Sequence, residues 1–329
     1  MPQTFAAADA VELAVVDRSG FVESRHAGIA VVLGPDGAIT AKLGDPSALI
    51  LPRSSLKPLQ ALACLAAGAA LDGERLGMAT ASHSGTDRHV AAVREILHSA
   101  GLGEEALGCP PARPSDTATR DEMIRERDEP ARIRMNCSGK HAAMLLTCVA
   151  NGWNTTGYLE PGHPLQLHIR EVVERLLGEK SPAVAVDGCG APVYATTLFG
   201  LARAIHRIGN SSVTSPFALH RSAGLLVQAV RDNPWTIEGP GRPDTIVNER
   251  LGVFAKGGAE GVMVMVAPDG TTVALKMLDG SPRAATAVGL RLLERTGALV
   301  PADVAATMQL LPLSVSGGGK DVGAIRPAF

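Results

Sequence analysis

Short apolar runs separated by turn residues occupy both ends of the chain and predict antiparallel strands. Gly-Pro-Asp-Gly at 34–37 and Pro-Asp-Gly at 268–270 are strong hairpin signals between such runs. The polar stretch 21–26 fits either the rim of a strand or a loop. Strands are expected over 11–16, 28–33, 38–43, 262–266 and 271–277.

The middle of the chain carries helical periodicity instead. Pro58 opens an alanine-rich apolar run, and proline suits an early helical position because no N–H is needed there. Helices are expected over 58–65, 88–101, 118–127, 141–149, 163–177, 192–208, 216–232, 284–296 and 302–311.

Strands at both ends with helices between them predict an α+β fold. We expect one domain, 1–329, in which a single antiparallel sheet is built from both chain ends and a helical subdomain is inserted. The sheet part is expected to cover about 1–57 and 246–329, and the helical part about 58–245. A cleft between the sheet and the helices is the expected place for a ligand site.

Composition narrows the classes of partner and location. The 329 residues are 46% hydrophobic, which is enough for a large core, and the net charge is −2. No basic face and only 3% aromatic residues argue against nucleic acid as a partner. We find no apolar run long enough for a membrane span and no amino-terminal signal pattern, so a cytoplasmic location is expected. An odd number of cysteines, five, is typical of free thiols or metal ligands.

Ser54 and Lys57 form a Ser-x-x-Lys pattern, in which both side chains share one face if Ser54 opens a helix. A serine needs a nearby base to act as a nucleophile, and a lysine is a base only when it is neutral, which burial favours. Penicillin-binding proteins and class A β-lactamases use this pattern for their nucleophile. An N-capping serine beside a solvated lysine on a surface helix explains the same residues.

Two further motifs follow in the order that those enzymes use, a second serine and then Lys-x-Gly before a late strand. Ser82 or Ser84 in Ala-Ser-His-Ser-Gly supplies the serine. Lys256, followed by two glycines, supplies the Lys-x-Gly. Ordinary turn chemistry for the serines and a solvated strand end for Lys256 remain alternatives.

Cys137 and Cys189 each lie in a glycine-containing turn with polar neighbours. Two thiolates with nitrogen or oxygen ligands suit zinc. Lys140 joins them as a ligand only if it loses its proton, which a metal drives. Two buried free cysteines, or a nucleophilic Cys137 beside His141, are the alternatives.

Taken together, six stretches of the chain resemble the rhizobial-type (class 3) L-asparaginases of the asparaginase II family. Each stretch is short, and their combination between residues 22 and 261 is highly specific. They are Val-Glu-Ser-Arg-His-Ala-Gly at 22–28, Pro-Arg-Ser-Ser-Leu-Lys-Pro-Leu-Gln at 52–60, Ala-Ser-His-Ser-Gly at 81–85, Met-Asn-Cys-Ser-Gly-Lys-His at 135–141, Asp-Gly-Cys-Gly-Ala-Pro at 187–192 and Ala-Lys-Gly-Gly-Ala-Glu-Gly at 255–261.

The resemblance implies a fold similar to serine β-lactamases and bacterial glutaminases, a homodimer, and hydrolysis of L-asparagine to L-aspartate and ammonia. By motif, Ser54 is the nucleophile and Lys57 its base. Ser82, preferred over Ser84, pairs with Lys256 as a second Ser–Lys couple.

The resemblance also implies zinc beside the active site, held by Cys137, Lys140 and Cys189 with Asp187 nearby through water. Some family members have a further cysteine near the late strand, and this chain has none after Cys189. Charge matching alone assigns Arg53 to the substrate carboxylate, and Asp187 or a zinc-bound water to its ammonium.

Two other functions fit the same sequence. One is a related amidohydrolase, such as a glutaminase or another β-lactamase-like acyl-transfer enzyme. The other is a non-catalytic module that binds zinc or an amino acid. Intact Ser54, Lys57 and Lys256 argue against the non-catalytic module.

Overall fold

The computed structural model describes residues 2–329 and builds the fold around one eight-stranded antiparallel sheet. In that range the strands are β1 (Val11–Arg18), β2 (Phe21–Leu33), β3 (Ile39–Leu43), β4 (Leu49–Ile50), β5 (Val184–Val186), β6 (Pro192–Tyr194), β7 (Thr196–Thr197), β8 (Phe254–Gly258), β9 (Val262–Val266), β10 (Thr272–Met277), β11 (Ser314–Gly317) and β12 (Lys320–Pro327).

Most helices lie between β4 and β8. They are α1 (Lys57–Ala66), α2 (Gly73–Thr80), α3 (Asp87–Ser99), α4 (Thr117–Glu126), α5 (Ser138–Ala150), α6 (Pro164–Leu177), α7 (Leu198–Gly209), α8 (Ala218–Asp232), α9 (Pro243–Leu251), α10 (Ala285–Arg295) and α11 (Pro301–Met308). Short 3-10 helices occupy Ala7–Asp9, Arg53–Leu56, Glu104–Ala106, Arg132–Arg134 and Pro234–Thr236. Among the helices of residues 2–329, none combines the length and apolarity that a membrane span requires.

The main sheet joins both ends of the chain, which confirms the predicted α+β class. Its strand order is β11-β12-β1-β2-β10-β9-β8, and β3 pairs with the second half of β2. The long β2 therefore links the amino-terminal strands to the late hairpin, since its residues 28–33 pair with β10. Strands β4 and β7, and β5 and β6, form two small separate sheets.

Both faces of the main sheet are covered, because successive side chains of a strand point to opposite faces. Val31 of β2 and Val264 of β9 belong to the larger core, which contains the helical part including α7. Val32 and Met263 belong to a second core, which contains residues of α10 and α11. The helical part lies on one face and the last two helices on the other.

The helix predicted over 192–208 is wrong in its first six residues. These residues form β6 and β7, and α7 begins at Leu198. The side chain of Thr197 accepts a hydrogen bond from Gly200 N at 2.8 Å, so it caps the helix start. Valine, tyrosine and two threonines before that cap favour extended backbone.

Candidate active site

A cavity of about 470 Å³ lies between the main sheet and the helical part. Ser54, Ser82 and Lys256 line it together, although more than 200 residues of sequence separate the first from the last. Lys57 lies behind this lining and is 1% exposed. The fold thus brings all four predicted catalytic residues to one region.

Ser54 lies in the 3-10 turn Arg53–Leu56, which runs directly into α1 at Lys57. The backbone before it is strained, since Arg53 has a φ of 52°, a left-handed conformation that residues other than glycine rarely adopt. Arg53 Nε donates to Asp187 Oδ1 at 2.7 Å, and Glu260 lies 3.7 Å from the same guanidinium. This ion pair holds the turn that presents Ser54.

Strand β8 passes close to the same turn. A Cβ on Gly258 would lie 2.7 Å from the carbonyl oxygen of Pro52 and 3.2 Å from Ser55 N. Such contact excludes a larger residue, which explains the second glycine after Lys256.

Lys57 has the environment that a lysine base requires. Its Nζ donates to Ala81 O at 2.5 Å and to Ser82 Oγ at 2.9 Å. Burial lowers the pKa of Lys57 to about 8, and the positive charges of Lys256 and Lys140 act in the same direction, against the nearby Cys137 thiolate. A neutral amine is therefore accessible near pH 8, where a general base is effective.

Ser82, predicted to pair with Lys256, accepts a hydrogen bond from Lys57 in this structure. Lys256 Nζ donates to Gly257 O at 2.7 Å and to Asp244 Oδ2 at 3.4 Å. Asp244 is 5% exposed and lies in α9, a helix that sequence periodicity does not reveal. A buried ammonium needs a carboxylate partner, and Asp244 supplies it. Ser84 is buried and absent from the cavity lining.

A second carboxylate, Glu238, lines the cavity beside Asp244. Its Oε2 accepts from Asp244 N at 3.0 Å, and its Oε1 accepts from Arg242 Nε at 3.3 Å. Burial, and then the negative charge of Asp244, raise the pKa of Glu238. Sequence reasoning missed this group. The available signal was Glu-Gly-Pro-Gly-Arg-Pro-Asp at 238–244, a glycine- and proline-rich turn that carries three charges.

Arg53 and Asp187, predicted to bind substrate, bind each other and do not line the cavity. Burial acts to raise the pKa of Asp187, but Lys140 and the hydrogen bond from Arg53 outweigh it and lower the pKa. The pair neutralises its own charges, so neither group is free in this structure to meet a substrate charge.

Cys137, Lys140 and Cys189 come together next to Lys57, each less than 5% exposed. Lys140 Nζ donates to Cys189 Sγ at 3.1 Å, and the Cys137 thiol lies beside Cys189. The contact with Cys189, helped by Lys57 and Lys140, lowers the pKa of Cys137 well below its usual value, whereas the pKa of Cys189 is raised. Burial acts to lower the pKa of Lys140, but the neighbouring Cys189, Cys137 and Asp187 outweigh it and raise the pKa.

A family model described as L-asparaginase II matches residues 14–327 of this sequence. The chain belongs to the L-asparaginase II family. The match confirms the resemblance carried by the six motifs and supports an amidohydrolase with a small-molecule substrate. A search of curated proteins finds no match.

Solved structures give looser likenesses to this L-asparaginase II family member. A crystal structure of Mglu shares 13% identity over 83% of this chain and 68% of its own, with a TM-score of 0.46. A Bacillus glutaminase shares 12% identity over 83% and 92%, with a TM-score of 0.45. A β-lactamase from Mycobacterium bovis shares 15% identity over 83% and 95%, with a TM-score of 0.40. The chain spans about two thirds of the length of the Mglu chains it matches.

The zinc implied by resemblance to the L-asparaginase II family can be tested against the donor set. Between residues 2 and 329 no three His, Cys, Asp or Glu side chains converge as a metal site. Two thiols do converge with an amine, so a zinc ion here would need Lys140 as its third protein ligand. Two thiolates, a neutral amine and one open position would fit zinc, provided that the ion displaces the protons of both Lys140 and Cys189.

Proposed function

We propose that the protein hydrolyses the side-chain amide of L-asparagine and releases L-aspartate and ammonia. The observation that carries this proposal is the shared cavity of Ser54, Ser82 and Lys256, behind which the buried Lys57 contacts Ser82 at 2.9 Å. Membership of the L-asparaginase II family supports the reaction class. The choice of L-asparagine over other amides is the proposal.

In the proposed mechanism Ser54 Oγ attacks the amide carbon, and Lys57 takes the serine proton. The Lys57–Ser82 hydrogen bond offers a route for that proton to the departing nitrogen, so ammonia leaves and an ester on Ser54 remains. Water then attacks the ester and passes its proton to Lys57. Lys57 returns that proton to Ser54 Oγ as the ester C–O bond breaks, which yields L-aspartate and free Ser54.

Two features stabilise the negative oxygen that forms in each step. Ser54 lies in the 3-10 turn that leads into α1, and backbone N–H groups at a helix start are suited to stabilise such an oxygen. Lys256 adds a buried positive charge on the facing strand. We assign the Arg53–Asp187 pair to holding the strained Ser54 turn, in place of contact with the substrate.

Zinc would be held by Cys137, Lys140 and Cys189, beside Lys57. When bound it would supply a Lewis acid and a fixed positive charge at the edge of the site.

Cys189→Ser is expected to abolish the binding of about one zinc per chain, because a hydroxyl is a poor replacement for a thiolate ligand. Metal content of the purified protein measures this directly. Cys148→Ser is the matched control, since Cys148 is equally buried but lies outside the cluster. A wild type that takes up no zinc, or a Cys189 variant that keeps it, contradicts the assignment.

Ammonia release from L-asparagine and L-glutamine tests the function. We expect kcat/KM for L-asparagine to exceed that for L-glutamine by about 10- to 200-fold, the usual discrimination for one methylene. A preference for L-glutamine would make the protein a glutaminase of the same reaction class. No release from either amide by folded, zinc-loaded protein would reject both.

We also propose a homodimer and a cytoplasmic location. All five cysteines are free and buried, as suits a reducing compartment. Light scattering coupled to size-exclusion chromatography decides the oligomeric state.

A further inference from the structure

The positive side chains that line the cavity outnumber the negative ones. Two carboxylates, Glu238 and Asp244, face three cations. Arg242 pairs with Glu238 at 3.3 Å, and Lys256 pairs with Asp244 at 3.4 Å. Across the described residues no carboxylate lies within ion-pair distance of Arg283, the third cation. The excess positive charge of the cavity is therefore on Arg283.

Arg283 is held by a hydrogen-bonded clamp at the rim of the cavity. Its Nε donates to His26 Nε2 at 2.9 Å, and its Nη2 donates to Ser24 Oγ at 3.2 Å. His26 Nδ1 lies 2.7 Å from Asp279 Oδ2. An arginine only donates, so His26 Nε2 must accept, and the histidine proton is on Nδ1 and bonds to Asp279.

These hydrogen bonds use only some of the N–H donors of the Arg283 guanidinium within residues 2–329. Within residues 2–329 no acceptor bonds to Nη1 of Arg283, and each terminal nitrogen carries two hydrogens. His26 is only 4% exposed, so the ring that fixes the guanidinium plane is itself fixed by packing. A planar, oriented guanidinium with an unused edge is suited to a carboxylate.

We propose that Arg283 binds the α-carboxylate of the amino-acid substrate and that His26, with Ser24 and Asp279, positions it. This inference rests on the proposed function for the identity of the substrate. It also gives a role to Ser24 and His26 of the stretch 22–28, which the catalytic chemistry does not use. Arg53, expected from charge matching to bind this carboxylate, is already neutralised by Asp187.

Removing the substrate carboxylate tests the contact. On L-asparagine, Arg283→Gln is expected to raise KM about 10- to 100-fold with a smaller change in kcat, since a charge-assisted pair is lost. On 3-aminopropanamide, which lacks the α-carboxylate, the same variant is expected to match wild type. Arg295→Gln, at the far end of α10 and outside the cavity lining, is the control.

The positioning role of His26 is tested by two substitutions that differ in whether they keep an acceptor for Arg283. His26→Gln keeps an acceptor for Arg283 Nε and is expected to retain most of the affinity for L-asparagine. His26→Leu removes the acceptor and is expected to raise KM for L-asparagine while sparing 3-aminopropanamide. Equal effects on the two substrates would show a merely structural role and overturn the positioning assignment.

Calorimetric binding of L-aspartate separates this inference from the proposed reaction. Binding that is lost in Arg283→Gln supports the inference even if the wild type releases no ammonia. An active wild type whose Arg283→Gln variant keeps the same preference for L-asparagine over 3-aminopropanamide overturns it. A wild type that binds neither L-aspartate nor L-asparagine also overturns it.

Discussion

Ser54→Ala is expected to lower kcat for L-asparagine by roughly 10⁴- to 10⁶-fold, because removal of a nucleophile disables the whole catalytic unit. Ser54 lines the cavity, and the strained turn at Arg53 presents it there. Ammonia release measures the loss. Mass spectrometry of acid-quenched wild type is expected to show an ester on Ser54 that the variant lacks.

The neighbouring serine gives a matched control. Ser55 is fully buried, and its Oγ donates to Pro52 O at 2.7 Å. Ser55→Ala should destabilise the protein by about 1 kcal/mol through the lost hydrogen bond and keep kcat within a few-fold. If Ser54→Ala kept activity within tenfold of wild type, Ser54 would not be the nucleophile.

Lys57→Met is expected to lower kcat by roughly 10²- to 10⁴-fold, the usual contribution of a general base, and yet to stabilise the fold at pH 7. A pKa of about 8 for a fully buried lysine, against 10.5 as its ordinary value, means that holding the ammonium in the folded state costs about 3 kcal/mol. The hydrogen bonds lost to Ala81 and Ser82 offset about 1 kcal/mol each. The net expectation is a gain of about 1 kcal/mol in the free energy of unfolding.

The stability gain expected for Lys57→Met must shrink as the pH rises. Below pH 8 Lys57 is protonated in both folded and unfolded chains, and the full cost is present. Between about pH 8 and 10.5 the unfolded chain binds more protons, so wild-type stability rises with pH relative to the methionine variant. Because Lys57 acts as a base only when it is neutral, kcat/KM is expected to rise with pH and to level off above about 8.

Urea unfolding at pH 7 and pH 9.5, together with a pH–rate profile, measures both effects. Lys320→Met is the control, since Lys320 is exposed on β12 and its replacement should change neither. A stability difference that widens with pH would show that burial does not set the Lys57 titration. A methionine variant with wild-type turnover would remove Lys57 from the mechanism.

Much of the fold and the core of the site follow from local rules that act on the sequence alone. Glycine-containing turns and apolar alternation fix the two hairpins, and proline at an early helical position marks α1. The spacing of Ser54 and Lys57 places them one helical turn apart whatever surrounds them. The motif order indicated a β-lactamase-like arrangement of Ser54, Ser82 and Lys256, and the cavity does contain all three.

Only the tertiary structure decided which of these residues contact each other. Lys57 bonds Ser82, 25 positions away, and Lys256 bonds Asp244 on a helix without a clear periodic signal. The clamp joins Arg283 to His26 across 257 positions. Strands β11 and β12 and the β6–β7 segment were also missed or misassigned, because their backbone partners come from elsewhere in the chain. Local propensity fixes the conformation of a few successive residues, whereas the pairing of buried charges depends on which distant groups the folded chain brings within 3 to 4 Å.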